Sequence, residues 1–311
     1  MTDHFMTADD LEFVAKQLRG YRKGAGWMCC CPAHDDRSPS LSLDIKGGRL
    51  LTHCFSGCSP QDVWDGLKDY FASGEGLSEE EMQKALERQR RADRKHAEKE
   101  RWKTQEALRI WREAVPAKGT PVETYLRSRA ITIDVPQSLR YHPNVQHDFT
   151  GLWMPCMVAG VQAPDRKVIA IQRTFLAHCG TKKAGLRETK LSLGRPGAGA
   201  VRFGPPGPAL GLAEGTETSL SAQEMFGMVT WSCCGTRFDA VDLPEEVKEV
   251  HFCADNPRPT AKDGGKAARS AVERGIERFT SEGRKCFVRR PPPSFEDWND
   301  LAQAKLKGDA A

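Results

Sequence analysis

Several kinds of segment are missing from this 311-residue sequence, and each absence excludes a class of protein. No run of about 18 apolar residues occurs, so we expect no membrane-spanning helix. No apolar stretch near the amino end resembles a signal peptide, and we therefore expect a cytoplasmic protein. The pattern Gly-x-x-x-x-Gly-Lys-Ser/Thr is absent too, which excludes a fused helicase motor of the Walker A type.

Acidic residues are scarce between Arg166 and Arg202, where nine lysines and arginines face the single acid Glu188. Glycine-rich loops in this stretch allow the backbone to approach a phosphate closely, and the cations would neutralise it. We therefore predict nucleic-acid or nucleotide binding here, the alternative being loops that are merely soluble. The candidate residues in these loops are Lys182, Lys183, Lys190 and Arg195.

Cysteine, by contrast, is abundant: the chain has eleven, and five of them lie between Cys29 and Cys58. Two cysteine and histidine pairs flank a predicted Gly-Gly hairpin, which is the plan of a zinc ribbon. The set we favour as closed, structural Zn²⁺ ligands is Cys31, His34, Cys54 and Cys58. Cys29, Cys30 and His53 are alternative ligands, and the alternative to a metal site is a group of buried free cysteines.

Composition divides the chain into four predicted segments, which together make a multidomain α+β and α/β protein. Residues 1–72 form the ribbon, 73–115 a charged helical linker, 116–206 a basic mixed α/β subdomain, and 207–311 a Rossmann-like sheet domain. Neither glycine nor proline occurs from Ser78 to Ala114, which predicts a long helix. Its basic run at residues 88–95 is either a nucleic-acid contact or a solvated face with i,i+4 pairs. We expect Trp102 and Trp111 to pack onto the next domain.

Two acidic residues follow two apolar strands in the last segment. Glu214 comes after the run 209–213, and Asp255 follows the run 249–254. Open α/β sheets keep their chemistry at the carboxyl ends of the strands, so both carboxylates are expected at one edge. Because Mg²⁺ prefers oxygen ligands, the sequence predicts a magnesium site held by Glu214 and Asp255.

The motifs at these positions resemble those of one family. Residues 31–42, Cys-Pro-Ala-His-Asp-Asp-Arg-Ser-Pro-Ser-Leu-Ser, and residues 53–58, His-Cys-Phe-Ser-Gly-Cys, are similar to the zinc-binding module of DnaG-type and of phage or mobile-element primases. Residues 214–217, Glu-Gly-Thr-Glu, and 254–256, Ala-Asp-Asn, resemble the family's Toprim motifs. The resemblance implies a ribbon that binds single-stranded template, with Arg37 and Arg49 as candidate phosphate contacts. It also implies a Toprim domain that holds Mg²⁺ or Mn²⁺.

The middle segment resembles the basic subdomain that precedes Toprim in these primases. The similar motifs are Tyr-Leu-Arg-Ser-Arg at residues 125–129, Ile-Gln-Arg-Thr at 171–174 and Lys-Leu-Ser at 190–192. By that resemblance, Arg173 and Lys190 are the best candidates for contacting the template or the incoming nucleotide.

Residues 291–300 resemble the family's late acidic motif, which implies that Asp297 completes the catalytic site. The alternative role of Asp297 is to cap the last helix. Asp263 and Asp300 are weaker candidates for completing the site. Pro257 stands where the family has a second aspartate, and its side chain cannot bind a metal, so the family's usual two-metal arrangement is not expected.

The resemblance implies a DNA primase, a nucleotidyltransferase that makes short RNA primers on single-stranded DNA from NTPs. Its implied partners are the template, the NTPs and a replicative helicase supplied in trans. Two other classes would use the same residues. One is a Toprim-type metal-dependent nuclease, and the other is a non-catalytic single-stranded DNA-binding protein whose site has decayed at Pro257.

Overall fold

The computed structural model describes residues 8–46, 49–71, 79–256 and 266–308. The chain divides into two compact units, Met1–His96 and Ala97–Ala311. The predicted mixed α/β multidomain class is confirmed, since one unit holds a four-stranded sheet and the other a ten-stranded sheet. Within the described ranges, no helix combines the length and the apolar character needed to cross a membrane.

The first unit is an antiparallel ribbon with helices packed on it. Its elements are α1 (Ala8–Gln17), β1 (Tyr21–Lys23), β2 (Gly26–Cys29), β3 (Leu41–Lys46), β4 (Arg49–Cys54) and α2 (Pro60–Phe71). The strands pair in the order β1-β2-β3-β4, and Leu41 lies opposite Cys54 in the β3–β4 register. Leu41 and Leu43 face a small core that they share with Val14 and Leu67.

A 35-residue helix, α3 (Glu79–Glu113), follows, as the run without glycine and proline predicts. Ala107 and Ile110 near its carboxyl end are buried in the second unit. Trp111 lies against Gly160, where an added Cβ would sit 2.9 Å from the indole ring. Trp102, by contrast, is 60% exposed, so the prediction that it packs onto the next domain was wrong.

The second unit begins with antiparallel strands. Its elements are β5 (Val115–Pro116), α4 (Pro121–Ser128), β6 (Leu139–Gln146), β7 (Trp153–Gln162), β8 (Val168–Phe175), β9 (Lys190–Gly194) and β10 (Ala200–Val201). Thr120 caps α4 by accepting a hydrogen bond from Val122 N, and Pro121 supplies the fixed φ that suits a first helical position. Strand β7 pairs with β6, β8 and β10.

Parallel strands and helices complete the second unit. They are β11 (Ala209–Ala213), α5 (Thr216–Phe226), β12 (Thr230–Ser232), β13 (Glu249–Cys253), α6 (Lys266–Ser281), β14 (Lys285–Arg289) and α7 (Trp298–Lys307). The parallel strands lie in the order β14-β13-β11-β12, and antiparallel β10 joins β12 to β7. The chain leaves β11 for β12 on one side and later returns to β13 on the other. This reversal creates the crevice at which open sheets place their ligands.

The centre of β11 has no room for a side chain at Gly211. A Cβ there would lie 2.2 Å from Thr230 Oγ1 and 2.9 Å from Thr230 Cβ, on the neighbouring strand. We expect Gly211→Ala to lower the free energy of unfolding by about 1–3 kcal/mol, because the overpacked strand must shift. Urea unfolding would measure the loss. Gly185→Ala is the matched control, since its Cβ would meet nothing within 4 Å, and an equal loss in both variants would contradict this account.

Candidate functional site

The structure brings together the four ribbon residues predicted to bind zinc. The ligand atoms of Cys31, His34, Cys54 and Cys58 all lie within 4.8 Å of one another. Three thiols and an imidazole at this spacing fit a structural Zn²⁺ site. The alternative ligands lie elsewhere: Cys29 is buried in the ribbon core, Cys30 is not in the group, and the His53 ring packs edge-on against Phe55.

Asp36 organises this cluster, and the sequence reasoning missed it. Its Oδ2 accepts hydrogen bonds from Cys31 N at 2.7 Å and Ser40 Oγ at 2.5 Å, and lies 3.8 Å from His34 Nε2. The Ser40 bond, followed by the Cys31 amide, lowers the pKa of Asp36 to about 2. The other ring nitrogen, His34 Nδ1, lies 3.2 Å from Cys58 Sγ. A carboxylate behind the ring is a common way to orient a metal-binding imidazole.

A second site lies at the carboxyl edge of the parallel sheet. It is a cavity of about 360 Å³, which we call the acid cavity. Three of the predicted carboxylates line it: Glu214, Asp255 and Asp297. Two of the predicted cations, Lys183 and Lys190, line it as well, together with Arg129. Residues far apart in the sequence therefore meet in one place, and Arg129 joins them although no role was predicted for it.

Local hydrogen bonds fix the turn that carries Glu214. This residue follows β11 directly, and Gly215 then begins α5 as its N-cap. The carbonyl of Glu214 accepts bonds from Gly235 N at 2.9 Å and Ser232 Oγ at 3.2 Å. Lys190 approaches Gly215 closely, since a Cβ there would lie 3.1 Å from Lys190 Nζ. The strand end therefore holds Glu214 at the cavity.

Asn256 ties the late acidic motif to the end of β13. Its side-chain nitrogen donates to the carbonyls of Pro291 at 3.0 Å, Pro292 at 3.2 Å and Phe295 at 2.8 Å. Its backbone N donates to Glu296 O at 2.8 Å. These bonds bring Asp297 to the same cavity as Asp255, so the position between the family's two aspartates has a structural role here.

Glu217 is the charged centre of the cavity floor. Its side chain is 4% exposed and interacts with Lys190 Nζ at 2.9 Å, Lys183 Nζ at 3.1 Å and the Tyr125 hydroxyl at 2.7 Å. Burial by itself raises the pKa of Glu217, but the charges of Lys190 and Lys183 outweigh it and lower the pKa below its ordinary value. Lys190 responds in the opposite direction: burial lowers its pKa, and the charge of Glu217 more than compensates and raises it.

Replacing Glu217 by glutamine is expected to lower the free energy of unfolding by about 3 kcal/mol, because two ammonium groups lose the charge that compensates them. We place the loss at the low end of the range for buried pairs, since both lysines are about one-third exposed. Denaturant unfolding would measure it. Glu224→Gln on the same helix is the control, because Glu224 accepts hydrogen bonds from the amide and the hydroxyl of Thr132, which carries no charge. Equal losses in both variants would contradict a special role for Glu217.

The pH dependence of the Glu217 contribution follows from the lowered pKa. A carboxyl with a depressed folded-state pKa stabilises the protein fully above its unfolded value, near 4.5, and loses that contribution as pH falls toward the folded value. The difference between wild type and Glu217→Gln should therefore be constant near neutrality and shrink below about pH 4.5.

The structure does not bring the remaining predicted cations into the cavity. Arg173 is 2% exposed and forms a bidentate ion pair with Asp148, at 2.8 Å and 2.7 Å. Arg195 Nε lies 2.9 Å from Glu100, and Lys182 is exposed outside the cavity lining.

The remaining predictions for this site concern Asp300, Asp263, Asp297 and the neighbouring Pro257. Asp300 does not line the acid cavity, and its amide instead donates to Asp297 Oδ1. Pro257 and Asp263 lie outside the described residues. Asp297 serves in the capping role that the sequence left open, since its Oδ1 accepts bonds from Asn299 N and Asp300 N while the residue also lines the cavity.

Comparison with known proteins identifies two domains in the second unit. Residues 209–308 match the model of a Toprim domain, and residues 101–203 match a domain of unknown function, DUF7146. No curated protein matches the chain.

Several solved structures are similar at low identity. The zinc-binding and RNA polymerase domains of the Aquifex aeolicus primase are 14% identical, with a TM-score of 0.41 over 96% of this chain and 82% of that one. The primase fragment of the bacteriophage T7 primase-helicase protein is 14% identical, with a TM-score of 0.36 over 63% and 69%. A DNA primase domain from Pseudomonas aeruginosa is 14% identical, with a TM-score of 0.40 over 62% and 73%.

Two features bear on the resemblance drawn from the sequence. The Toprim model covers the segment that carries Glu214, Asp255 and Asp297. The cysteine and histidine cluster lies on an amino-terminal ribbon. Residues 209–308 are therefore a Toprim domain, and this domain and the cluster are two features that the resemblance to DnaG-type primases predicted.

Proposed function

We propose that the protein is a DNA primase that synthesises short RNA primers on single-stranded DNA by metal-dependent nucleotidyl transfer. The observation that carries the proposal is the acid cavity, which combines three carboxylates of the Toprim domain with two lysines of the segment before it. Phosphoryl transfer needs groups that hold cations and groups that neutralise phosphate oxygens, and this cavity offers both.

The donor chemistry of the cavity fits a hard divalent cation such as Mg²⁺ or Mn²⁺. We propose Glu214 and Asp255 as its ligands, with Asp297 as a third carboxylate. When bound, such a cation orients a triphosphate and stabilises negative charge on its phosphoryl oxygens. The four acids of the cavity, counting Glu217, exceed its three cations Lys183, Lys190 and Arg129 by one charge, so a cation also improves the local charge balance.

The lysines have a separate role in this proposal. Lys183 and Lys190 share the carboxylate of Glu217, so the three groups together carry one net positive charge at the cavity. That charge suits the phosphates of an incoming nucleotide or of the template strand. Glu217 fixes the position of both ammonium groups and acts as a positioning residue.

The ribbon is proposed to bind the template strand, with structural Zn²⁺ at Cys31, His34, Cys54 and Cys58. Arg37 and Arg49 are both exposed, and the Arg37 guanidinium lies 3.6 Å from Asp35 in a fully solvated pair. Lys182 is exposed on a loop and remains a proposed phosphate contact. The division into segments 1–72, 73–115, 116–206 and 207–311 also remains a proposal.

The substitution Asp297→Asn distinguishes the helix-capping role of Asp297 from its proposed metal-binding role. Asparagine caps a helix as well as aspartate does, so Asp297→Asn should change the free energy of unfolding by less than about 0.5 kcal/mol. The loss of one negative ligand should weaken Mn²⁺ binding by at least about tenfold. Electron paramagnetic resonance of free Mn²⁺ would measure the affinity. Unchanged affinity in this variant would restrict Asp297 to helix capping.

The products formed by the intact chain test the function. We expect labelled NTPs, single-stranded DNA and Mg²⁺ or Mn²⁺ to yield short RNA chains whose synthesis depends on the template. With end-labelled DNA and no NTPs, the strand should stay intact. Metal-dependent cleavage in that second reaction would assign a nuclease instead. DNA binding without product in either reaction, across several templates and both metals, would assign a non-catalytic binding protein.

A further inference from the structure

A larger cavity, of about 590 Å³, lies in the second unit away from the proposed catalytic site. We call it the arginine cavity. Its walls come from Trp111 at the end of α3, from Ser138 and Gly160, and from Arg166 and Arg202. It shares no lining residue with the acid cavity, and no carboxylate lines it.

The two arginines meet at the β7–β8 turn, although Arg202 itself follows β10. Arg166 lies in that turn, where its amide donates to Ala163 O at 2.9 Å. Arg202 Nη2 donates to the same carbonyl at 3.0 Å, and its guanidinium lies 4.4 Å from the centre of the Trp231 ring. The nearby Asp165 forms an ion pair with Lys167, with 2.8 Å between Asp165 Oδ2 and Lys167 Nζ. Across the described ranges, neither Arg166 nor Arg202 forms an ion pair.

Burial leaves this positive charge poorly compensated. Desolvation is the main cause that lowers the pKa of Arg202, and the charge of Arg166 lowers it further, while the charge of Asp165 offsets only part of this shift. Two guanidinium groups that repel each other beside a cavity are stabilised when an anion binds between them. Guanidinium groups present planar arrays of donors that match phosphate oxygens.

Ser138 provides a second, independent indication of a ligand. This residue is only 7% exposed, and its hydroxyl has no hydrogen-bond partner among the described residues. Arg202 Nε is buried and lacks a partner in the same part of the chain. Buried polar groups are normally paired, because leaving one unpaired costs free energy. Both groups therefore have donors available for a ligand in the cavity.

The position of Trp111 in the cavity wall indicates which part of a ligand could bind there. The Trp111 ring packs against Gly160, and the Arg140 guanidinium lies 4.2 Å from its centre. Because Gly160 and Arg140 already contact the Trp111 ring, we do not expect a nucleic-acid base to stack on it. The polar groups that remain are donors suited to oxygen anions.

We propose that the arginine cavity is a phosphate-binding site, formed by Arg166, Arg202 and Ser138. The phosphate belongs to a single-stranded nucleic acid or to a free nucleotide. The proposal does not depend on the catalytic role of the acid cavity, because it requires neither a divalent metal nor Glu214.

The test measures binding of two phosphate probes to the intact protein in buffer without added Mg²⁺ or Mn²⁺. The probes are a labelled dT12 oligonucleotide, followed by anisotropy over a range of salt concentrations, and ATP, followed by calorimetry. Arg166→Asn removes one charge at a position with φ of +67°, a conformation that asparagine tolerates. Ser138→Ala removes a hydroxyl that makes no hydrogen bond among the described residues, so its folding should be unimpaired. Lys167→Gln removes an equal charge from the same turn outside the cavity lining.

Arg166→Asn is expected to weaken the binding of at least one probe by about tenfold. Ser138→Ala is expected to weaken the binding of the same probe by a smaller factor. If the oligonucleotide is that probe, the slope of log K against log salt should fall in magnitude by about 0.7 in Arg166→Asn. Weakening of dT12 alone assigns a nucleic-acid phosphodiester, and weakening of ATP alone assigns a nucleotide. The proposal is overturned if both variants bind both probes as wild type does, or if Lys167→Gln weakens binding as much as Arg166→Asn. The test contains no divalent metal and measures no primer synthesis, so failure here is distinct from failure of the primase proposal.

Discussion

Removing zinc is expected to unfold the amino-terminal ribbon while the second unit stays folded. The ribbon core contains eleven buried apolar residues, and two of them, Cys31 and Cys54, belong to the metal cluster. A core of this size in fewer than about 70 residues rarely supplies more than about 3–5 kcal/mol of stability. Structural zinc contributes about 10–16 kcal/mol of binding free energy in small domains, which exceeds the stability that such a core supplies.

Hydrogen exchange of the β3 and β4 amides measures this effect. We expect Cys54→Ser, or chelation of the wild type, to remove most of their protection, while amides of β11 and β13 stay protected. Cys30→Ser is the matched control, because Cys30 neighbours a proposed ligand but is not in the cluster. Full protection of β3 and β4 in Cys54→Ser would show that the ribbon does not depend on the metal.

Local patterns predicted the elements that carry the site. The cysteine and histidine pairs flanked a turn, and the hairpin β3–β4 does bring them together. The apolar runs before Glu214 and Asp255 became the adjacent parallel strands β11 and β13. Both predictions rested on short-range sequence features that tertiary packing reinforced.

Long-range pairing was beyond such patterns. In the sequence Glu217 stood out only as the last residue of the motif 214–217, yet its partners Tyr125 and Lys190 lie 92 and 27 residues away in the chain. Arg173 was a candidate nucleic-acid contact by the family resemblance, whereas in the fold it forms an ion pair with Asp148, 25 residues earlier. Charge counts along a sequence do not show which charges are neutralised inside the fold.

The third carboxylate illustrates the same limit. Asp297 had two predicted roles, and its distance in sequence from Glu214 gave no means of choosing between them. Hydrogen bonds from Asn256 to the loop before Asp297 explain how Asp297 reaches the cavity, because they hold that loop beside Asp255. No local motif marks Asn256 as an anchor.

Replacing Glu214 by glutamine is expected to lower primer synthesis by a factor on the order of 10³ or more, because the cavity loses a negative ligand at the reacting phosphates. The fold should be preserved, since the turn is held through the Glu214 carbonyl by Gly235 and Ser232, and glutamine retains that carbonyl. Binding of the template by the ribbon should change little, because its proposed contacts, Arg37 and Arg49, lie in the first unit.

The rate of labelled NTP incorporation on single-stranded DNA, compared between wild type and Glu214→Gln, tests the central claim most directly. Glu224→Gln serves as the control, because it makes the same chemical change on α5, away from the acid cavity. The account predicts template-dependent primers from the wild type and the control, and almost none from Glu214→Gln. Primer synthesis by Glu214→Gln at the wild-type rate would contradict it, and so would a wild type that makes no primers.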